Sequence, residues 1–195
     1  MTGAQLIPAS QQDTWDALND PQVLKACVPG CESITPVNPN EYQVLMTARV
    51  GPVSAKFRGR LSLFDIKPPN SYALAFEGQG GAAGFAKGAA QVKLSAEGPQ
   101  TRLAYEVKAN VGGKLAQIGS RLVDAAAKKV ADDFFQNFTR RMSAVEAEPA
   151  AANAAPEHGA SAPARAAPSV SNTTLIFFAA GALVVFIVAL VAFFG

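Results

Sequence analysis

The chain predicts an α+β fold: a curved antiparallel sheet of about six to seven strands wrapped on one long C-terminal helix with two short helices, followed by a linker and a single transmembrane helix. Three observations carry that reading. Apolar and polar residues alternate in runs between positions 41 and 111. From 114 to 145 apolar residues recur every three or four positions. Near the end, 20 consecutive residues from Leu175 to Phe194 carry no charge.

An opening strand leads into PASQQDTWDALNDPQVLKACVPG, which reads as two short helices. Ser10 is placed to cap the first, with Asp13 three residues on, and Asp20-Pro21 opens the second, because a short oxygen-bearing side chain satisfies the first free N–H groups and proline lacks one to satisfy. Pro29-Gly30 ends it. In EYQVLMTARV, Tyr42, Val44, Met46, Ala48 and Val50 share one face. In KFRGRLSLF, Phe57, Leu61 and Leu63 share one face and Lys56, Arg58 and Arg60 the other. SYALAF and TRLAYEVKANV alternate in the same way, with Tyr72, Leu74 and Phe76 in the first and Leu103, Tyr105, Val107, Ala109 and Val111 in the second. Such period-two patterning belongs to antiparallel strands with one buried face. NPNE, KPPNS and EGPQT supply turns between them. One long helix from about Lys114 to Val145 follows, with Leu115, Ile118, Leu122, Ala126, Val130, Phe134 and Phe138 on its apolar stripe and Val123, Ala127, Ala131 and Phe135 widening it. Asp124 and Lys128 stand at i,i+4 on its polar side.

The domain boundaries fall where composition changes. Residues 1–145 are the globular domain. Residues 146–172 hold 11 Ala and 4 Pro, too many prolines for a stable helix and no apolar pattern to bury, so they read as a semi-extended linker. Residues 173–195 read as a membrane anchor: 20 apolar residues at about 1.5 Å each reach about 30 Å, the thickness of bilayer hydrocarbon. With basic residues all preceding the anchor and no secretory leader at the start, the domain is expected on the cytoplasmic side of the membrane.

Charge and ligand counts exclude several functions. Net charge is +2, with 16 Lys+Arg against 12 Asp+Glu in residues 1–145, which does not suit nucleic-acid binding. The sequence LKACVPGCESI brings Cys27 and Cys31 close, but the one histidine, His158, lies in the linker. A structural zinc site needs about four Cys/His ligands, so the two cysteines read as small packing residues beside a tight turn. No metal ligand set, Ser-His-Asp triad or pair of inward carboxylates can be assembled in the domain.

EGQGGAAGFAKGAAQVKL carries five glycines between Gly78 and Gly88. A dinucleotide-binding loop would open a helix, whereas here the alternating Gln91-Val92-Lys93-Leu94 continues as a strand. Two readings stay open. The glycines make bulges and a flexible hairpin, or small residues on the inner sheet face leave room for a ligand with Phe85 at the cavity mouth.

Four segments, NDPQVLKACVPGCE, GPVSAKFRGRLSLFDIKPPNSY, GGAAGFAKGAAQV and VGGKLAQIGSRLVDAAAKKVADDFF, together resemble the CoxG family of carbon monoxide dehydrogenase subunits, over roughly residues 2–142. The resemblance implies the helix-grip fold of the START-like, polyketide-cyclase-like superfamily, in agreement with the order of elements above. It further implies a non-catalytic accessory role: holding a molybdenum-containing, hydroxylase-type carbon monoxide dehydrogenase at the cytoplasmic membrane, with an isoprenoid quinone, menaquinone or ubiquinone, bound in an apolar cavity.

Under that reading Phe57, Leu61, Phe76, Phe85, Tyr105, Leu122 and Val123 are the candidate cavity residues, each with core packing as its alternative. Lys56, Arg58 and Arg60 are the candidate contact with anionic lipid headgroups or an acidic patch on the dehydrogenase, with a solvated strand face as the alternative. No catalytic residue, metal or covalent cofactor is expected. The competing functions are a cyclase or hydrolase acting on an apolar substrate, and a pure anchor with a solid core.

Overall fold

The computed structural model describes residues 1–151, with side chains to Ala144. The expected linker beyond residue 151 and the expected membrane anchor lie outside the described residues. Among the described residues no helix is long and apolar enough to cross a membrane.

Strand β1 (Thr2–Ile7) is followed by helices α1 (Gln11–Leu18) and α2 (Pro21–Cys27). Six strands come next: β2 (Cys31–Asn38), β3 (Glu41–Val50), β4 (Val53–Lys67), β5 (Ser71–Gln79), β6 (Phe85–Glu97) and β7 (Gln100–Gly112). A single 3-10 turn, Gly81–Ala83, lies between β5 and β6. Helices α3 (Lys114–Gln117) and α4 (Ser120–Ala151) are the last elements among the described residues. The seven strands form one antiparallel sheet in the order β1-β7-β6-β5-β4-β3-β2, so every neighbour but one is also a neighbour in sequence. The exception places β1 beside β7 and brings the first and last strands together.

Local chemistry places the short helices as expected. The Ser10 hydroxyl accepts from the Asp13 N–H at 3.1 Å, and the Asp20 carboxylate accepts from Gln22 at 2.7 Å. Gln11 then ties α1 to the sheet by donating to the Leu94 carbonyl at 3.1 Å and the Asn70 side chain at 3.0 Å. Trp15, 2 % exposed, meets Tyr72 edge to face at 5.6 Å.

Inner-face residues of β3, β4, β5 and β7 are buried in the alternation expected, those of β6 are Ala86, Ala90, Val92 and Leu94, and α4 covers the sheet with Val123, Ala127, Ala131, Phe134, Phe135 and Phe138. The Phe134 and Phe138 rings stack at 5.5 Å, and Phe135 stacks on Tyr105 of β7 at the same distance. Burying rings of this size stabilises a domain by roughly 2–3 kcal/mol each.

The long helix differs from expectation. It is broken at Ile118-Gly119, where Gly119 takes φ +88°, and a new helix starts at Ser120. The break resets the stripe. Leu115 packs inward from α3 and Val123 from α4, while Leu122, one position and about 100° away, points outward and is 46 % exposed. At its far end α4 runs to Ala151, six residues past the expected domain boundary.

Candidate functional site

Helix α4 touches both β1 and β3. One helix cannot span a seven-stranded sheet, and a cleft opens on either side of it. The larger, about 970 Å³, lies between α4 and the β1–β7 pair. Tyr105, Val107 and Ala127 form an apolar floor, residues Met1–Gln5 form one wall, and Lys108, Lys128 and Asp132 stand at the rim. Lys128 reaches Asp132 at 3.8 Å, a well-exposed i,i+4 pair of small energetic weight. Tyr105 is 7 % exposed, and its ring crosses Gly3 on the facing strand, where a β-carbon would overlap it. Burial, reinforced by the charge of Asp132, pushes the Tyr105 phenol up, so it stays a hydrogen-bond donor at neutral pH.

The smaller cleft, about 250 Å³, lies between α4 and β3. Met46, Val50, Ala126 and Val130 line it, and Pro29-Gly30 closes one end. Here the Cys27–Cys31 turn has a structural task. Gly30, at φ +74°, accepts the Thr47 N–H at 2.9 Å, and a β-carbon there would overlap the Thr47 carbonyl. Asn137 of α4 donates to the Cys27 carbonyl at 3.1 Å, fixing the helix to the turn. Both cysteines are free, Cys27 buried and Cys31 half-buried. Burial pushes both thiols up, Cys31 to about 11, which keeps them protonated and poorly reactive. Among the described residues no three His, Cys, Asp or Glu side chains converge as a metal site.

The expected cavity residues separate into three groups. Tyr105 lies on the floor of the large cleft. Phe57, Leu61, Phe76 and Val123 are 1–4 % exposed and belong to the hydrophobic core, and none of them lines the cleft. Phe85 and Leu122 are elsewhere, and both expectations are corrected. Leu122 sits outside, near Gly51 of the β3–β4 hairpin, because of the helix break. Phe85 is one position out of phase with the inward Ala86 and pairs with Gly112, so its ring lies on the outer face of the sheet, 38 % exposed. The glycine-rich segment divides accordingly. Gly81 and Gly84, at positive φ, shape the tight connection, while Gly88 sits under the Phe76 ring.

Lys56, Arg58 and Arg60 do share the outer face of β4. Lys56 bonds Glu32 at 2.8 Å and Arg60 approaches Glu41 at 3.4 Å. Across the strands Arg60, Glu77 and Lys87 stand in one row, so basic and acidic side chains alternate along that face. Alternation puts Tyr42 on the buried face of β3 but does not mark it as a site residue. It is 2 % exposed on the inner face, its hydroxyl has no hydrogen-bond partner, and burial pushes the phenol up to about 12.

A seven-stranded antiparallel sheet closed over a long C-terminal helix, with two short helices after the first strand and ligand-sized clefts beside the long one, defines a START-like, helix-grip domain. A START superfamily protein from Mycobacterium smegmatis has this fold, at 12 % identity and TM-score 0.58, over 74 % of this chain and 97 % of its own. A protein from Thermus thermophilus matches at 15 % identity and TM-score 0.57, over 74 % and 97 %. The chain belongs to the CoxG family of carbon monoxide dehydrogenase subunits, whose model matches residues 3–143. A conserved protein from Geobacillus kaustophilus is 30 % identical with TM-score 0.69, over 73 % of this chain and 93 % of its own. Comparison with curated proteins gives no match.

Proposed function

We propose that the protein is a non-catalytic, membrane-tethered accessory that recruits a molybdenum-containing carbon monoxide dehydrogenase-type enzyme to the cytoplasmic face of the membrane and presents an isoprenoid quinone, menaquinone or ubiquinone, as its electron acceptor. The observation that carries this reading is the CoxG family match over nearly the whole globular domain. Two features support it. The 20 uncharged residues Leu175–Phe194 suit a bilayer anchor. The cleft beside α4 has the volume for a quinone ring, a floor of Tyr105, Val107 and Ala127, and a phenol that can donate to a carbonyl oxygen. Phe57, Leu61, Phe76 and Val123 belong to the same continuous apolar core as the floor residues. The outer-face row Lys56, Arg58 and Arg60 is the proposed contact with the enzyme or with lipid headgroups.

The test starts from the full chain extracted in mild detergent. Mass spectrometry of its lipid extract should find a quinone at near-stoichiometric amount. Ser120→Trp, at the half-exposed rim, should lower that amount severalfold while leaving the fold intact. A quinone-free wild type would leave an anchor without a carrier. Removing residues 173–195 should move a dehydrogenase to the soluble fraction, and an unchanged distribution would remove the recruitment role.

A further inference from the structure

The two edges of the sheet are not alike. β2 is defended in the ways that natural edge strands are: Pro36 removes a donor, the register shifts twice against β3, and Glu32 carries a charge on the edge strand itself. β1 has none of these devices. Its sequence TGAQLI contains no charge and no proline, and its register with β7 is unbroken from Thr2 to Ile7.

Hydrogen-bond parity tells which groups face outward. Met1 and Val107 exchange both bonds, each at 2.8 Å. In an antiparallel ladder such pairs alternate, so Gly3, Gln5 and Ile7 also bond β7, while the N–H and C=O groups of Thr2, Ala4 and Leu6 point to the free edge. Among the described residues nothing pairs with them. Leu6, 46 % exposed, and Met1, 36 % exposed, add apolar surface to the same edge.

We infer that β1 is a self-association edge, on which a second copy of this chain pairs β1 antiparallel to β1. The register follows from the parity: Ala4 opposes Ala4 on the two-fold axis, and Thr2 opposes Leu6 on either side. Each is a narrow, doubly bonded pair, giving roughly six backbone hydrogen bonds across the axis. A two-fold places each side chain against its own kind or its mirror in sequence, and an uncharged strand suffers no like-charge contact in that arrangement. The one formal charge, the Met1 ammonium, is already held by the Val107 carbonyl. In the paired rows Arg102 beyond Leu6 lines up with Glu106 beyond the second copy's Thr2, opposite in sign. Two seven-stranded sheets become one, and Leu6 is covered by the partner's Thr2 and Ala4.

Hydrogen exchange on the purified full chain in detergent reads this directly. The amides of Thr2, Ala4 and Leu6 should gain protection, at least tenfold, as protein concentration rises, while those of the β2 edge should not. Light scattering should give two chains per particle. Ala4→Pro removes an outward N–H without touching the β1–β7 ladder and should return the particle to one chain. Leu6→Lys, at an exposed position, should do the same and guards against a folding defect in the first variant. In a Cys31→Ser background, Ala4→Cys should cross-link to itself with a short bismaleimide and Val37→Cys should not. A single-chain wild type at tens of micromolar, a dimer that survives both substitutions, or β1 protection that appears only with a different bound protein would each overturn the inference.

Discussion

The ring of Phe76 on β5 lies over Gly88 on β6, its Cζ 2.6 Å from where a β-carbon at position 88 would stand. The same relationship recurs at Tyr105 over Gly3, Phe57 over Gly80 and Phe85 over Gly112. An aromatic side chain crossing a neighbouring glycine recovers the packing that the glycine gives up. These glycines therefore seat rings, and the ligand-sized space lies beside α4 instead of under it.

Gly88→Ala tests that pairing. The new methyl would meet Phe76, the Lys108 carbonyl and the Ala109 Cα, two of them main-chain atoms that cannot step aside. Overpacking of this kind costs about 1–3 kcal/mol, and thermal denaturation should show a Tm lower by roughly 3–10 °C. An unchanged midpoint would mean the ring does not occupy that space.

The helix break makes a second prediction from adjacent residues. Leu122→Gln should change stability by less than about 0.5 kcal/mol, since an exposed position has little to lose. Val123→Ala, at 1 % exposure, should cost about 1–3 kcal/mol through the cavity it leaves. A continuous helix that kept Leu115 buried would turn Leu122 inward and make it the costlier of the two, so equal or reversed effects in urea titration would contradict the phase that α4 takes after the break.

Cys31 supplies the pH dependence. Its folded pKa is raised to about 11, chiefly by burial. An ordinary thiol titrates near 8.5. Because the fold favours the neutral thiol, the contribution to stability is complete below the unfolded value and is lost as pH rises through that value toward 11. Reactivity follows the thiolate. At pH 8 iodoacetamide should modify Cys31 about a hundredfold more slowly in the native protein than in urea, with the native rate climbing about tenfold per pH unit toward 11. Equal native and unfolded rates at pH 8 would contradict the burial.

The amino-acid sequence determined the elements and their faces. Period-two alternation fixed which side of each of β3, β4, β5 and β7 is buried, because a strand that slips by one residue turns its whole apolar set to water. Capping oxygens at Ser10 and Asp20 fixed where the short helices begin, because the first N–H groups of a helix have no partner within it. The Cys27–Cys31 turn was legible as structure for want of further ligands. Three things were decided only by the tertiary structure. Gly119 breaks the last helix because its positive φ is chosen by how α4 must land on the sheet, while the apolar spacing reads straight through it. Phe85 turns outward because the connection at Gly81–Ala83 sets the phase of β6, and glycine-rich chain permits either phase. The clefts, and the free edge of β1 beside the larger one, arise from distances between elements far apart in the chain, and no local pattern of residues encodes them.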